Sequence, residues 1–384
     1  MPLLFVLALS AFVGAVAVRI VDPVVPDIAH ALNSTTATAA LLASAFAFPY
    51  AFGQPILGPL SDAVGKARII QVCMAVLAAM LVLSALAPTI ETLFAARIVA
   101  GLAAGGIFPA AFAMLGDRVA FAERQVTLSR VLMAALAGQL TGAIGSGLIA
   151  AAVGWRTVMT LSGILAAAAA IVAMAGLKPR AGVQRTSFTL ANMRIGYAAV
   201  FRNPRTPICF AAVFVEGLAM FGLLPYVATL LQERAAGGIK EAGFVIAGMG
   251  LGGLLFTFAV RKILQVLRGM LNLMRAGGVL AGAGLAAVAF AGPWPWQMAA
   301  FTLAGSGFFM LHNSLQTQAT ELAPSARGSA VALHAFFFFL GQATGPVLYG
   351  FGLAVAGPVA TILTAAAVMA ILGFVIAELL SRVP

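Results

Sequence analysis

Charge is what this chain of 384 residues has least of. Asp, Glu, Lys and Arg make up 9% of it against 62% apolar residues, and the mean hydropathy is +1.06. That balance excludes a soluble globule, because many of the apolar runs reach the roughly 20 residues that cross a bilayer. Acids are scarcer still, 11 against 22 bases. The resulting net charge of +11 would suit nucleic acid, but the bases are scattered through short gaps with no basic patch interleaved with aromatics. No nucleic-acid partner is therefore expected, and anionic membrane lipid is. Cysteine is nearly absent: Cys73 and Cys209 fall in separate apolar runs without paired spacing, which supports neither a disulfide framework nor a metal site. Met1-Pro2-Leu3-Leu4-Phe5 lacks the basic leader and small-residue cleavage site of a secretory signal, so the first run is expected to stay as a helix.

What is present is a series of apolar runs broken by charge, Pro or Gly clusters. They predict twelve spans, at about 3–27, 38–60, 69–87, 93–116, 126–152 and 157–177, then about 206–231, 242–260, 269–290, 296–320, 328–352 and 357–380. The expected fold is an all-α polytopic membrane protein with twelve transmembrane helices in two pseudo-symmetric six-helix bundles. Its parts are residues 1–177, a linker 178–205, and residues 206–384. The linker holds Lys178, Arg180, Arg185, Arg194, Arg202 and Arg205 and no acid, which marks it as cytoplasmic. An even number of spans on either side then puts both termini inside. Lys66, Arg68, Arg118, Arg124, Arg130, Arg261, Lys262, Arg268, Arg275, Arg327 and Arg382 fall at that same face; Arg19, Arg97, Arg156, Arg234 and Lys240 do not.

An internal repeat supports the two halves. Span 5 carries Gly138-Gln139-Leu140-Thr141-Gly142 and span 11 carries Gly341-Gln342-Ala343-Thr344-Gly345, a displacement of 203 that Arg124 and Arg327 share. Between spans 2 and 3, Gly58-Pro59-Leu60-Ser61-Asp62-Ala63-Val64-Gly65-Lys66-Ala67-Arg68 is a charged turn in an uncharged neighbourhood. Its glycines allow close backbone approach, its bases suit the inner leaflet, and Asp62 needs a hydrogen-bonded partner.

These motifs resemble those of the major facilitator superfamily over nearly the whole chain. The family's loop between spans 2 and 3, Gly-x-Leu-Ser/Ala-Asp-Arg-x-Gly-Arg/Lys-Arg/Lys, is met by Gly58, Leu60, Ser61, Asp62, Gly65 and Lys66. Ala63 and Ala67 replace two usual bases, and Arg68 lies one place later. Arg97-Ile98-Val99-Ala100-Gly101, with Gly105 and Pro109, is similar to the span 4 signature. The antiporter signature of span 5 is partly kept, in Gly138, Gly142, Gly145 and Gly147, with Ala143 in place of its Pro. Asp22-Pro23-Val24-Val25-Pro26-Asp27-Ile28-Ala29 resembles the end of span 1 in the drug-efflux branch, a look that sugar-efflux and metabolite exporters share. The resemblance implies bundles that rock around a central site. On that reading Gly58, Asp62, Gly65, Lys66 and Arg68 are expected to form a cytoplasmic gate, Asp62 bonding near the end of span 11 or to a nearby base when the inner side is closed; a plain topological turn is the alternative.

Ionisable groups inside spans are costly to bury and need a partner, a wet cavity or a function. Arg19 and Asp22 are three apart on one helix face, with Arg97 at comparable depth. Asp22 is a candidate for proton coupling, releasing a base when protonated; a permanent ion pair is the alternative. Glu216 is the acid within span 7, about ten residues and hence about 15 Å from its cytoplasmic end, with no base near it in sequence. An unpaired carboxyl there suits a proton carrier or a donor to substrate, the quieter alternative being a bond to a backbone carbonyl. Arg19, Tyr50, Gln54, Arg97, Gln139, His312, Asn313, Gln316 and Gln342 are candidates for one substrate cavity, though each can instead bridge helices. His334, near the cytoplasmic end of span 11, ranks below His312. Phe336 to Phe339 cover every face of one turn and permit an apolar cavity wall.

The sequence thus predicts a secondary active transporter, not an enzyme, that exports a small amphipathic compound by alternating access, coupled to protons and using no cofactor. An importer or uniporter of a sugar or organic anion is the alternative. A lipid or isoprenoid enzyme would need clustered acids or a Ser/Cys/His constellation, and the sequence has neither. The expected setting is a monomer in a bacterial inner membrane.

Overall fold

The structure, a computed structural model, describes residues 2–119, 121–178, 190–290 and 292–383. Arg180 and Arg185 lie outside the described residues, as do the side chains of Asp62 and Arg124. The described residues are helical throughout their regular structure, and the chain divides into two compact units, Met1–Met193 and Arg194–Pro384.

In the first unit, span 1 runs through Leu3–Arg19, a 3-10 turn Asp22–Val24 and a short helix Val25–Ala31. Spans 2 to 6 are Thr36–Val64, Lys66–Leu86, Ile90–Arg118, Phe121–Val153 and Trp155–Gly176. A helix Leu190–Phe201 lies within the stretch the sequence reads as a linker, and the division between the units falls inside it, after Met193. Span 7 is Thr206–Phe221, a 3-10 turn Leu224–Tyr226 and a helix Val227–Glu233. Spans 8 to 10 are Ile239–Leu267, Met270–Phe290 and Trp294–Glu321. One helical stretch, Arg327–Arg382, turns sharply at Gly357 and supplies spans 11 and 12, residues 327–356 and 358–382. The chain therefore has twelve spans. Span 10 is the least apolar of them, because it carries Gln297, His312, Asn313, Gln316 and Gln318.

Local chemistry sets the ends. Thr35 caps span 2 through the Thr38 amide at 3.1 Å, and Thr89 and Thr92 form a capping box on span 4. Gly65, the turn residue of the charged loop, has φ of 113°, a conformation that side-chain-bearing residues resist, so spans 2 and 3 reverse with no further linker.

The two units share one packing scheme. Spans 1 and 5, 2 and 4, 3 and 4, and 3 and 6 pack in the first unit; 7 and 11, 8 and 10, 9 and 10, and 9 and 12 do so in the second. The match extends to single residues. A methyl added at Gly138 or Gly142 would run into the Phe12 or Val16 carbonyl, and one at Gly341 or Gly345 into that of Phe214 or Leu218, each pair displaced by 202 or 203. Gly101 meets the Phe46 carbonyl as Gly305 meets that of Met249. Spans 1 and 7 break at the same place, with Pro23 and Pro225 as second residue of their 3-10 turns. A proline has no N–H to give the preceding turn, which favours a break there.

Candidate functional site

The candidate residues fall into two clusters, one in each unit. In the first, Arg19 at the end of the Leu3–Arg19 helix donates from Nη1 to Asp22 Oδ2 at 3.2 Å and from Nε to Gln139 Oε1 at 3.3 Å. The break in span 1 aims Asp22 back at Arg19. Arg97, fully buried on span 4, donates from Nη1 to the Ala17 carbonyl at 3.2 Å and stacks over the Phe46 ring at 4.2 Å. Its charge also acts on Asp22. Phe46 stacks in turn on Tyr50, which bonds with Gln54 one turn on. Arg19, Asp22, Tyr50, Gln54, Arg97 and Gln139 thus form one continuous chain of contacts across spans 1, 2, 4 and 5.

Two buried guanidinium groups share one buried carboxylate here, so the cluster carries a surplus cation in a low-dielectric setting. Arg97 Nε and Nη2 have no hydrogen-bond partner among the described residues. Such stranded donors favour an anion or a strong acceptor.

In the second unit, Glu216 is 0% exposed and its Oε1 shares a short hydrogen bond with His312 Nδ1, reached from span 10. The sequence reading of an unpaired carboxyl is corrected on this point: the partner is 96 positions away on another helix. The His312 side chain is 15% exposed, so it connects a sealed carboxyl to the outside of the cluster. Aromatic rings hold it in place. Phe308 stacks on it at 5.1 Å, Phe338 lies 4.6 Å away, and Phe221 sits edge-on to both phenylalanines at 5.3 and 5.4 Å. Of the four-phenylalanine run, Phe338 thus serves His312 while Phe337 stacks on Phe210 of span 7. Gln342 is buried on span 11, its backbone against Gly217, and Asn313 and Gln316 are half-buried on span 10.

Two residues matter more than the sequence suggested. His334 is buried on span 11 with its ring 5.4 Å from that of His312, and neither ring nitrogen has a partner among the described residues. Asp117, at the end of span 4, binds Lys66 of the charged turn at 2.5 Å, and its neighbour Arg118 donates to the Lys178 carbonyl at 2.8 Å. The Gly116-Asp117-Arg118 sequence was the available signal, an acid and a base together at a span end. Gly58 lies against Pro109 of span 4 and Arg68 is exposed. Among the described residues, no group of three or more His, Cys, Asp or Glu is placed to close around a metal ion.

Twelve apolar spans in two repeated units, each with a buried polar cluster, are the architecture of a membrane transporter. The sequence profile of the Major Facilitator Superfamily matches residues 7–346. The chain belongs to that superfamily and is an integral membrane protein. It is 26% identical over 284 residues to the uncharacterized MFS-type transporter YwfA of Bacillus subtilis strain 168, covering 73% of this chain and 68% of that protein. Multidrug resistance protein 1 of the same organism is 20% identical over 351 residues, 90% of this chain and 88% of that one. Among solved structures, the nucleoside transporter NupG superposes with a TM-score of 0.80 at 15% identity, covering 100% of both chains, which shows a shared fold.

Proposed function

We propose that this transporter exports a small amphipathic compound in exchange for protons, as a monomer in a bacterial inner membrane with both termini cytoplasmic. The observation that carries it is the Glu216–His312 pair. A carboxyl sealed at mid-span and bonded to a partly exposed imidazole is a group that can take up a proton from outside the cluster and hold it away from water. The phenylalanines around it suit an apolar substrate face. The likeness to a multidrug resistance protein supports outward transport. In this reading Asp22 and Glu216 respond to protons, and the candidate polar residues of spans 2, 5, 10 and 11 meet the substrate.

Arg97 favours a second reading. Its two buried donors without a partner among the described residues would recognise a carboxylate or phosphate, so the substrate would be an organic anion, in either direction. One experiment separates the two. Purified protein in liposomes with an imposed pH gradient is screened with lipophilic dyes, antibiotics, sugars and organic acids. Coupled flux of dyes or antibiotics against the proton gradient is expected. Gradient-independent flux confined to organic acids would replace the first reading with the second.

A further inference from the structure

Buried polar atoms without partners are concentrated in the second unit's cluster. Of the eight such side-chain atoms among the described residues, three are here: Glu216 Oε2 and both ring nitrogens of His334. Leaving such a group unsatisfied is costly, so three together in one cluster call for a purpose. Both residues adjoin His312, Glu216 by a hydrogen bond and His334 by ring proximity.

We propose that His334 is the second proton acceptor of this cluster and exchanges a proton with Glu216 through His312. The inference rests on the proton-coupled reading above and names the path within it. A proton arriving at the exposed edge of His312 makes an imidazolium bonded to ionised Glu216. If the Nδ1 proton passes to Glu216 Oε1, both residues become neutral. If ring rotation or an intervening water joins His312 Nε2 to a nitrogen of His334 and that proton passes across, His312 becomes neutral, His334 cationic, and Glu216 stays ionised. Each state holds one proton, and only N–H and O–H bonds form or break. Two imidazolium ions with ring centres 5.4 Å apart repel, so the pair shares one proton instead of holding two. The shared proton thereby links spans 7, 10 and 11.

Other groups on the packed elements offer no competing path. Cys209 lies about two turns from Glu216 on span 7 as a buried thiol. Arg205 donates to Gln318 and to the Val383 carbonyl, and Tyr349 gives its hydroxyl proton to the Ala219 carbonyl. Glu321 and Arg327 pair with each other in the open at 3.5 Å.

The chain has three histidines, which makes the test direct. Imidazole NMR of the full-length protein in detergent follows His30, His312 and His334 against pH. With coupling, His312→Phe moves the His334 titration midpoint by about one pH unit, while exposed His30 does not respond. In liposomes, His334→Asn and His334→Phe each lower gradient-driven flux by about 100-fold and change its pH profile, whereas His30→Gln behaves as wild type. A His334 midpoint indifferent to His312→Phe, or a wild-type pH profile in both His334 variants, overturns the relay. If the wild-type protein moves its substrate without protons, the exporter reading falls, and the NMR coupling still decides whether the proton is shared.

Discussion

At the scale of single residues, the two clusters carry opposite surpluses. The first has two bases for one acid; the second has one acid and imidazoles that can be neutral. Neutralising the acid therefore has unequal consequences. Asp22→Asn leaves two buried guanidinium groups without a counter-charge and is expected to cost about 3–5 kcal/mol of stability. Glu216→Gln keeps a hydrogen-bonding group beside His312, so its cost is expected to stay under about 2 kcal/mol while proton-driven flux is lost. Thermal unfolding in detergent and proton flux in liposomes measure both; equal destabilisation by the two variants would contradict the charge count. The acids themselves were legible in the sequence, because a carboxyl within an apolar run stands out. Their partners were legible only where local. Arg19 is three residues from Asp22 on one helix face, whereas the helix that brings His312 to Glu216 is chosen by packing that no local pattern reports.

At the scale of helices, contacts between carbonyls and glycines set the spacing of spans 1 and 5 and of spans 7 and 11. An added methyl at Gly138 or Gly341 would collide with the Phe12 or Phe214 carbonyl, and backbone cannot move aside cheaply. Gly138→Ala and Gly341→Ala are each expected to destabilise the protein by about 1–3 kcal/mol, read as a lowered thermal midpoint. Gly145 serves as the control: a methyl there would meet nothing within 4 Å, and Gly145→Ala should be neutral. Span 7 is further clasped to span 11 by two tyrosines: Tyr226 donates to the Pro346 carbonyl at 2.8 Å and Tyr349 to the Ala219 carbonyl at 2.7 Å. Tyr349→Phe removes one bond and should cost about 1 kcal/mol by the same measurement. The repeated Gly-Gln-x-Thr-Gly pointed at these glycines. The 3-10 breaks in spans 1 and 7 were hidden, since Pro23 and Pro225 sit in otherwise continuous apolar runs and a proline can either kink a helix or start a new one.

At the scale of the whole chain, one scaffold is used twice and decorated differently. The places of Arg19, Asp22 and Arg97 are taken in the second unit by Phe221, Leu224 and Phe301, while Glu216, His312 and His334 correspond to Gly14, Phe108 and Val131. Gln139 and Gln342 alone among the polar candidates keep their place in both, and the turn glycine Gly65 is matched by Gly269. Fold therefore repeats because backbone contacts repeat, and function does not because the polar side chains do not. The same scaffold makes orientation testable. Each unit has an even number of spans, so the basic turns after spans 2, 4, 6, 8 and 10 should share the cytoplasmic face with both termini, and the turns after spans 1, 3, 5, 7, 9 and 11 should lie opposite. Both native cysteines are buried, which keeps labelling background low. Single cysteines at Ser34, Pro88 and Gly292 are expected to react with an impermeant maleimide added to intact cells. Cysteines at Arg68, Arg268 and Arg382 should react only after the membrane is opened. The reverse pattern would invert the topology and turn the basic face outward, against the force that sorts Lys and Arg to the inner leaflet.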